Sequence, residues 1–405
     1  MNEKNSDSAL SSIYALLAEG NSKTLVDIVE AKYKDLGLTE NQFCNLMNFQ
    51  RRTWKRIISG EQQKIDISVI IKLANFLGLD VKDIIQIYIS NANPDEIHEL
   101  ENTKKNSFLV NNFDLRNLKK VGFIDNIQDL EHIQDRIVKY FNLNNIFEYR
   151  NIGFKPLFKK AKIQQSDKML AFWKNTVWEQ FQRINNPYPY DEAKLLSIIP
   201  KIRESTLYVS EGFTKFIKGL FECGLTVIVE TYCSNTGGVQ GATFNIKNKP
   251  YIVLTNFQRR YDMLWFTLAH EISHVINDMD YISQQGYHVS GDSDLFTDEL
   301  QEDMANTFAQ KMFISDKNSQ AIESYIDIDE LVKQQALSWN VHPSLVYGNY
   351  LHKYPNKYGR FRKYLLDSTL TIKNIEIKNP YKQSTIEESV QCLNQLLMKN
   401  SHPTT

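Results

Sequence analysis

Five residues near the middle of the chain have the spacing of a metal-binding helix. They read His270-Glu271-Ile272-Ser273-His274, the HExxH pattern of zinc-dependent hydrolases. Residues four apart lie one above the other on a helix, so His270 and His274 can bind one metal ion from a single face. Glu271 points about 100° away, where it can act as a general base on water beside the metal. The motif therefore predicts metal-assisted hydrolysis.

A second helical segment offers the third protein ligand that a catalytic zinc site needs. Glu302 lies on the edge of an amphipathic stripe that it shares with Ala305 and Asn306. The small alanine would let this helix approach the HExxH helix closely. We therefore predict that His270, His274 and Glu302 bind Zn²⁺ together. Asn306, one turn after Glu302, is placed to orient a ligand.

A competing third ligand lies closer in the sequence. In the longer metzincin pattern the third ligand follows the second His by six residues, a position that Asp280 holds here. That pattern also requires a glycine three residues after the second His, where this chain has Asn277. Glu302 is therefore the preferred ligand, with Asp280 as the alternative.

These segments together resemble the ImmA/IrrE family of bacterial metallopeptidases. The resemblance rests on HExxH with the preceding Leu264–Ala269, on the strand-like Lys249–Leu254 and on the run Glu302–Ala309. It covers about residues 200 to 365. The resemblance implies a compact zincin-like fold with a small sheet, a bound zinc ion, and cleavage of a helix-turn-helix repressor.

A glycine-rich stretch, Gly237 to Phe244, lies between the β-rich runs Leu225–Tyr232 and Tyr251–Leu254. The glycines favour a hairpin turn. We expect the strand that follows, near Ala242 and Thr243, to form an exposed edge to which an extended substrate adds as a further strand.

A basic helix near the N terminus indicates DNA recognition. Helical patterns follow one another from Thr24 to Tyr88, with a short break at Asn48-Phe49. Their order resembles an XRE-type helix-turn-helix domain, with Gln50 to Ile58 as its recognition helix. The expected DNA contacts are Gln50, Arg51, Arg52, Lys55 and, towards phosphate, Arg56. Similar bundles also dock proteins, so a protein contact is the alternative.

The region that follows this bundle contains no residues with a catalytic pattern. Residues 91–112 are polar and charged, and we expect them to be a linker. Asp125–Phe141 and Lys168–Ile184 are predicted amphipathic helices, with Asp125 as a possible N-cap. Aromatic residues at helical spacing in the second helix, such as Phe172 and Trp173, favour a core role over a binding site.

Length and composition predict several domains. A chain of 405 residues, 42% hydrophobic, can bury a large core and hold two or three domains. We predict an α+β, mostly helical fold. The predicted segments are a flexible tail (1–22), a five-helix helix-turn-helix bundle (23–92), a linker and helical connector (93–200), a compact zincin-like domain with a small sheet (201–316), a helical extension (317–379) and a tail (380–405). Within this last segment we expect an amphipathic helix followed by a frayed end.

Charge and cysteine content bear on the binding partners and the cellular compartment of the protein. A net charge of −1 predicts no general attraction to nucleic acid or membrane, so DNA binding must come from a local patch. Four cysteines without CxxC spacing look like reduced thiols. Neither a signal peptide nor a long apolar run is evident, so we expect a cytoplasmic protein.

Two functions from different classes fit these patterns. The first is a zinc endopeptidase that binds double-stranded DNA and cleaves a repressor or similar regulator. The second is a DNA-binding regulator or antitoxin, with a repressor or toxin as partner and a structural or inactive zinc site. Glu271 favours the first, because a structural site needs no general base. Peptide hydrolysis also needs an oxyanion donor, for which His288 and Tyr261 are candidates, although either could be a packing residue.

Overall fold

The computed structural model describes residues 24–59, 65–90, 94–152, 165–231, 238–256, 260–285, 287–290, 299–366, 370 and 379–398. The flexible tail expected over residues 1–22 lies outside this part of the chain. The chain divides into two compact units, Met1–Lys104 and Lys105–Thr405. The described residues are mostly helical and contain one four-stranded mixed sheet, which agrees with the predicted fold class.

The N-terminal unit contains five short helices in the predicted order: α1 (Leu25–Asp35), α2 (Glu40–Leu46), α3 (Arg51–Ile58), α4 (Ile67–Leu77) and α5 (Val81–Ser90). Capping boxes begin the first two helices, at Thr24 and Thr39. The turn between α2 and α3 places Asn48 at φ 51, a left-handed conformation that asparagine adopts more readily than most residues. Buried side chains such as Phe43, Trp54 and Leu73 form one core among these helices.

The linker expected over residues 91–112 is instead a long helix, α6 (Pro94–Asn112). Its polar part contains three Glu and two Lys, residue types that favour helix even without a buried face. Its last turns bury Phe108 and Leu109. Polarity was therefore a poor indicator of a linker here.

The second unit contains a sheet of four strands, β1 (Thr226–Glu230), β2 (Gly241–Ile246), β3 (Lys249–Thr255) and β4 (Tyr287–Ser290), in the order β1-β3-β2-β4. β1 and β3 are parallel, whereas β2 is antiparallel to both β3 and β4. Successive side chains of β1 point to opposite faces, so Val227 and Val229 enter one core and Ile228 enters another. The sheet thus separates two hydrophobic cores.

Helices from both ends of this unit cover one face of the sheet: α7 (Leu115–Lys120), α8 (Leu130–Phe141), α9 (Gln165–Arg183) and α20 (Ile386–Met398). Asp129 caps α8, rather than the predicted Asp125, because its side chain accepts the His132 backbone N–H at 3.0 Å. Phe172 and Trp173 of α9 are buried, so their predicted role in the core is confirmed.

The C-terminal segment is part of this second core. The amphipathic helix expected in the segment 380–405 is present as α20, which packs against α9. The segment is not a free tail, because Tyr381 is fully buried. Arg136 of α8 fixes the entry to this segment by donating to the Tyr381 and Ser384 carbonyls. Apolar residues at helical spacing, including Ile386 and Leu393, explain why it folds onto the sheet. Residues 399–405 lie outside the described part.

The opposite face of the sheet carries the helices of the predicted catalytic region: α10 (Glu192–Ile198), α11 (Ile202–Ser205), α12 (Gly212–Glu222), α13 (Tyr261–Asn277), α14 (Met279–Gln285), α15 (Glu299–Phe313), α16 (Asp316–Ile322), α17 (Asp329–Ser338), α18 (Pro343–Lys353) and α19 (Tyr358–Phe361). None of the helices in the described residues has the length and apolarity that crossing a membrane requires.

Candidate metal centre

The HExxH residues lie in the middle of α13, the most deeply buried helix of the catalytic region. Its apolar stripe, which includes Leu268 and Ile272, belongs to the core beneath the sheet. His270, Glu271 and His274 are also buried, at 5%, 0% and 0% exposure. Three ionisable side chains in such a place need specific partners, because burial penalises unpaired polar groups.

The three predicted ligands meet as the sequence predicted. The His270 and His274 Nε2 atoms lie 3.1 Å apart. The Glu302 carboxylate on α15 lies across from both, with Oε2 at 3.4 Å from His270 Nε2 and Oε1 at 3.7 Å from His274 Nε2. Ligand atoms around one tetrahedral zinc ion stand about 3.3 Å apart for bonds of about 2.0 Å. This group could therefore hold one metal ion.

Small buried residues let the two ligand helices approach each other. Ala305 and Ala309 of α15 are buried, and α13 and α15 pack along their lengths. Larger side chains at either position would push Glu302 away from the imidazoles. The alanines identified in the sequence thus set the distance on which the ligand group depends.

Hydrogen bonds orient both imidazoles. Asn306 Oδ1 lies 3.1 Å from His270 Nδ1, and Asp278 Oδ2 lies 2.7 Å from His274 Nδ1. When each Nδ1–H donates to its oxygen, each Nε2 is the metal-binding nitrogen. Asn306 was predicted for this role. Asp278 was missed, although its position four residues after His274 could have suggested it.

The predicted general base, Glu271, is held in place by β2. Glu271 Oε2 accepts the Thr243 hydroxyl at 2.7 Å. A Cβ atom at Gly241 would lie only 2.5 Å from Glu271 Oε1, so this position must be glycine for the carboxylate to fit. Residues two apart on a strand face the same side, which is why Gly241 and Thr243 both meet α13. Sequence reasoning missed both contacts.

The alternative residues lie elsewhere. Asp280, the competing third ligand, is exposed on α14 and is not in the ligand group. Tyr261, a candidate oxyanion donor, is fully buried and donates its hydroxyl to the Thr206 carbonyl at 2.8 Å. It is therefore a packing residue that joins α13 to the end of α11.

His288, the other oxyanion candidate, does reach the centre. It lies on β4, is buried, and has Nε2 at 2.7 Å from Glu302 Oε1. Its ring centroid is 4.0 Å from that of His274. His288 thus joins the ligand group as a hydrogen-bonding contact of Glu302.

Charges within the centre favour an acid–imidazole pair. Burial would lower the pKa of His270, but its hydrogen bond to Glu302 and the nearby carboxylates raise the pKa above its ordinary value. Burial would likewise raise the pKa of Glu302, but hydrogen bonds to His270 and His288 hold it well below its usual range. A metal ion would replace the proton in this arrangement.

The prediction of a free strand edge at Ala242 and Thr243 is wrong. β4 pairs with β2 over Gly241 to Phe244, so the sheet places β2 between two neighbours. The prediction failed because a strand as short as Tyr287–Ser290 gives no clear apolar pattern. The glycine-rich turn expected before β2 includes Gly237, which lies outside the described residues.

No family model, curated protein or solved structure matches this chain.

A cleft of about 750 Å³ adjoins the metal centre, between α13, α15 and α18. Phe266, one turn before His270, and Asn306, which bonds His270, both line it. Gln240, the residue before β2, lines it as well. Leu345 of α18 adds an apolar surface. The three candidate ligands do not line the cleft themselves, so it lies beside His270 rather than at the ligand atoms.

The predicted DNA contacts lie together on α3 of the N-terminal unit. Trp54 and Ile57 are buried, which turns the other side of the helix outwards. Gln50 is the exposed N-cap residue, and Arg51 Nε lies 3.5 Å from Glu40 Oε1. A shallow concavity on the outward side is lined by Arg51, Arg52, Lys55, Arg56 and Ser59. This surface offers a local positive charge that the whole chain lacks.

Proposed function

We propose that the protein is a zinc-dependent regulatory endopeptidase that cleaves a helix-turn-helix repressor or a similar regulator, and that its activity is coupled to DNA binding. One observation carries the proposal. A buried carboxylate, Glu271, is held by Thr243 beside a group of three side chains that could bind a metal. Two histidines and one glutamate leave a fourth position on a tetrahedral zinc ion for water and substrate.

In the proposed peptide hydrolysis, different residues of the chain have different roles. A bound zinc ion supplies Lewis acidity, which lowers the pKa of water and polarises a peptide carbonyl. Glu271 accepts the proton of the attacking water and delivers it to the leaving amine. Thr243 keeps the carboxylate in one orientation for both transfers. Asn306 and Asp278 hold the two imidazoles.

A buried carboxylate beside the ligands favours a hydrolytic role over a structural one. A zinc site with a purely structural role would not need a general base, whereas Glu271 is held next to the ligand group by the Thr243 hydroxyl.

Coupling to DNA rests on the basic surface of α3. Four cations and an exposed glutamine on one helix side suit the major groove of double-stranded DNA. We expect the double variant Arg52→Ala/Lys55→Ala to weaken DNA binding and to lower its salt dependence. Electrophoretic mobility shifts at several salt concentrations measure both. Unchanged binding would favour α3 as a protein-docking surface instead.

A second candidate function is a DNA-binding regulator or antitoxin with an inactive zinc site. The observation that favours it is β4, which covers β2 and brings His288 to Glu302. With β4 paired to β2, the metal centre has little room for a peptide.

The substitution Glu271→Ala separates the two functions. It leaves His270, His274 and Glu302 in place, so zinc content and DNA binding should match the parent chain. Cleavage of repressors encoded beside the gene, followed by mass spectrometry, should be lost if the endopeptidase proposal holds. If the parent chain cleaves none of these proteins while the variant regulates transcription normally, the second function is the better one.

A further inference from the structure

The pairing of β4 with β2 has a defined register. Gly241, Ala242, Thr243 and Phe244 lie opposite Ser290, Val289, His288 and Tyr287 in an antiparallel ladder. Thr243 is the residue whose hydroxyl holds Glu271, so it marks a point on β2 that contacts the proposed general base. The residue opposite Thr243 is His288. β4 thus places its own backbone at this point of the site.

The side chain of His288 confirms that position. Its Nε2 lies 2.7 Å from Glu302, and its ring is 4.0 Å from the ring of His274. A peptide that paired with β2 in the same register would bring the residue opposite Thr243 to the same ligands. β4 therefore occupies the space that an extended substrate needs.

The backbone of β2 has hydrogen-bonding groups on the edge that β4 covers. Strand residues carry N–H and C=O groups on both edges, and each needs a partner from the protein, a ligand or water. With β4 in place, all four β2 residues in this ladder are buried. Within the described chain β3 satisfies one edge and β4 the other. An extended peptide offers the same hydrogen bonds as β4, so one can replace the other.

We propose that β4 is an internal stand-in for the substrate, and that an extended peptide segment binds antiparallel to β2 only when β4 leaves this edge. The inference rests on the proposed endopeptidase function and adds the substrate class and the cause of latency. The substrate is an unfolded or flexible segment, because a folded helix cannot form the ladder. The four residue pairs of β4 make its departure easier than that of β1 or β3.

A disulfide lock across Ala242 and Val289 tests the proposal. Paired residues of antiparallel strands have Cα atoms about 4.5 to 5.5 Å apart, within the range that disulfides span. Replacing an alanine and a valine with two cysteines nearly conserves volume. We expect the oxidised, zinc-loaded Ala242→Cys/Val289→Cys chain to cleave unfolded casein at least tenfold more slowly than its reduced form. Cleavage at equal rates would overturn the proposal.

The single variants Ala242→Cys and Val289→Cys are matched controls, since they carry the same native cysteines and cannot form the lock. Oxidation should leave their cleavage rates unchanged. A similar loss in either single variant would assign the effect to another thiol and remove the support that the lock gives.

Hydrogen exchange provides a measurement that does not depend on cleavage. If β4 leaves β2 in the full chain, the lock should slow exchange of the β2 amides that face β4 at least tenfold. Exchange of β3 amides should not change. Equal exchange of β2 with and without the lock would overturn the proposal. Slowed exchange in a chain that cleaves nothing would instead count against the endopeptidase function.

Discussion

Two carboxylates lie buried at opposite faces of the same sheet, and their surroundings differ. Glu271, on the metal face, accepts the Thr243 hydroxyl at 2.7 Å. Glu230, at the end of β1, is 2% exposed and faces α9. Burial raises the pKa of Glu230 to about 8, although Gln180 and Trp173 lie near enough to lower it in part. One carboxylate is held by a hydrogen bond beside the candidate metal ligands, whereas the raised pKa of the other keeps it protonated at neutral pH.

The same contrast extends to the neighbours of each carboxylate. On the metal face, Asn306 and Asp278 bond the two imidazoles. On the opposite face, no hydrogen bond of standard geometry reaches the Glu230 oxygens or the Trp173 indole nitrogen within the described residues. Burial alone therefore does not identify a candidate site. Hydrogen bonds that orient neighbouring side chains are the better indicator, because they fix the geometry of the site before a ligand binds.

Metal binding gives the strongest test of the difference between the two faces of the sheet. We expect Zn²⁺ to stabilise the chain by about 4 kcal/mol when free zinc is 1,000 times its Kd. His274→Ala should remove this gain, because one of three ligands is lost. Thermal unfolding with increasing zinc measures the effect. Asp280→Ala is the matched control and should respond like the parent chain. An equal loss in both variants would mean that the metal binds elsewhere.

The opposite face should respond to pH instead. The unfolded chain releases the Glu230 proton near its ordinary pKa of 4.5, whereas the folded chain keeps it to about pH 8. Between these values the unfolded state binds fewer protons, so this residue lowers the free energy of unfolding as pH rises. From pH 5 to pH 7.5 the loss is about 3 kcal/mol.

Glu230→Gln keeps the shape of the side chain and removes the titration. Its stability relative to the parent chain should therefore increase from pH 5 to pH 7.5, as measured by urea unfolding at both pH values. Other titrating groups cancel in this difference. Zinc binding should be unchanged, since the metal centre is on the other face. A difference that is the same at both pH values would contradict the raised pKa of Glu230.

The parts of the site that lie close in sequence could be predicted. The spacing of His270 and His274 follows from one helix, and the stripe of Glu302 with Ala305 follows from another. Asp278 was within reach of the same argument. Thr243 was not, because its contact with Glu271 depends on how β2 lies over α13, which no local pattern reveals.

The wrong expectations share a physical cause. The linker over residues 91–112 was inferred from local polarity, yet tertiary packing buries Phe108 and Leu109. The edge at Ala242 was inferred without β4, whose four residues depend on pairing with β2 rather than on their own pattern. The recognition helix was predicted to within one residue, since caps and periodicity are local, whereas α8 begins five residues after the predicted Asp125.

Gly241 allows a smaller test of geometry on the metal face. Gly241→Ala places a Cβ 2.5 Å from Glu271 Oε1 and 2.9 Å from Thr267 Cγ2. We expect the base to move and peptide cleavage to fall about 100-fold, while zinc binding is retained. Gly359→Ala is the control, because its Cβ meets no atom within 4 Å. Cleavage within threefold of the parent chain would show that the position of the Glu271 carboxylate is not critical.

The smallest expected effect concerns the partner of His274. Asp278→Asn keeps an oxygen that can accept from Nδ1–H but removes the negative charge that strengthens the imidazole as a ligand. Zinc affinity should fall about tenfold, measured by competition with a chelator. Asn277→Ala is the neighbouring control, since Asn277 bonds only Ser273 on its own helix among the described contacts. Equal affinities in all three chains would mean that Asp278 does not orient His274. Packing alone would then fix the geometry of the metal centre.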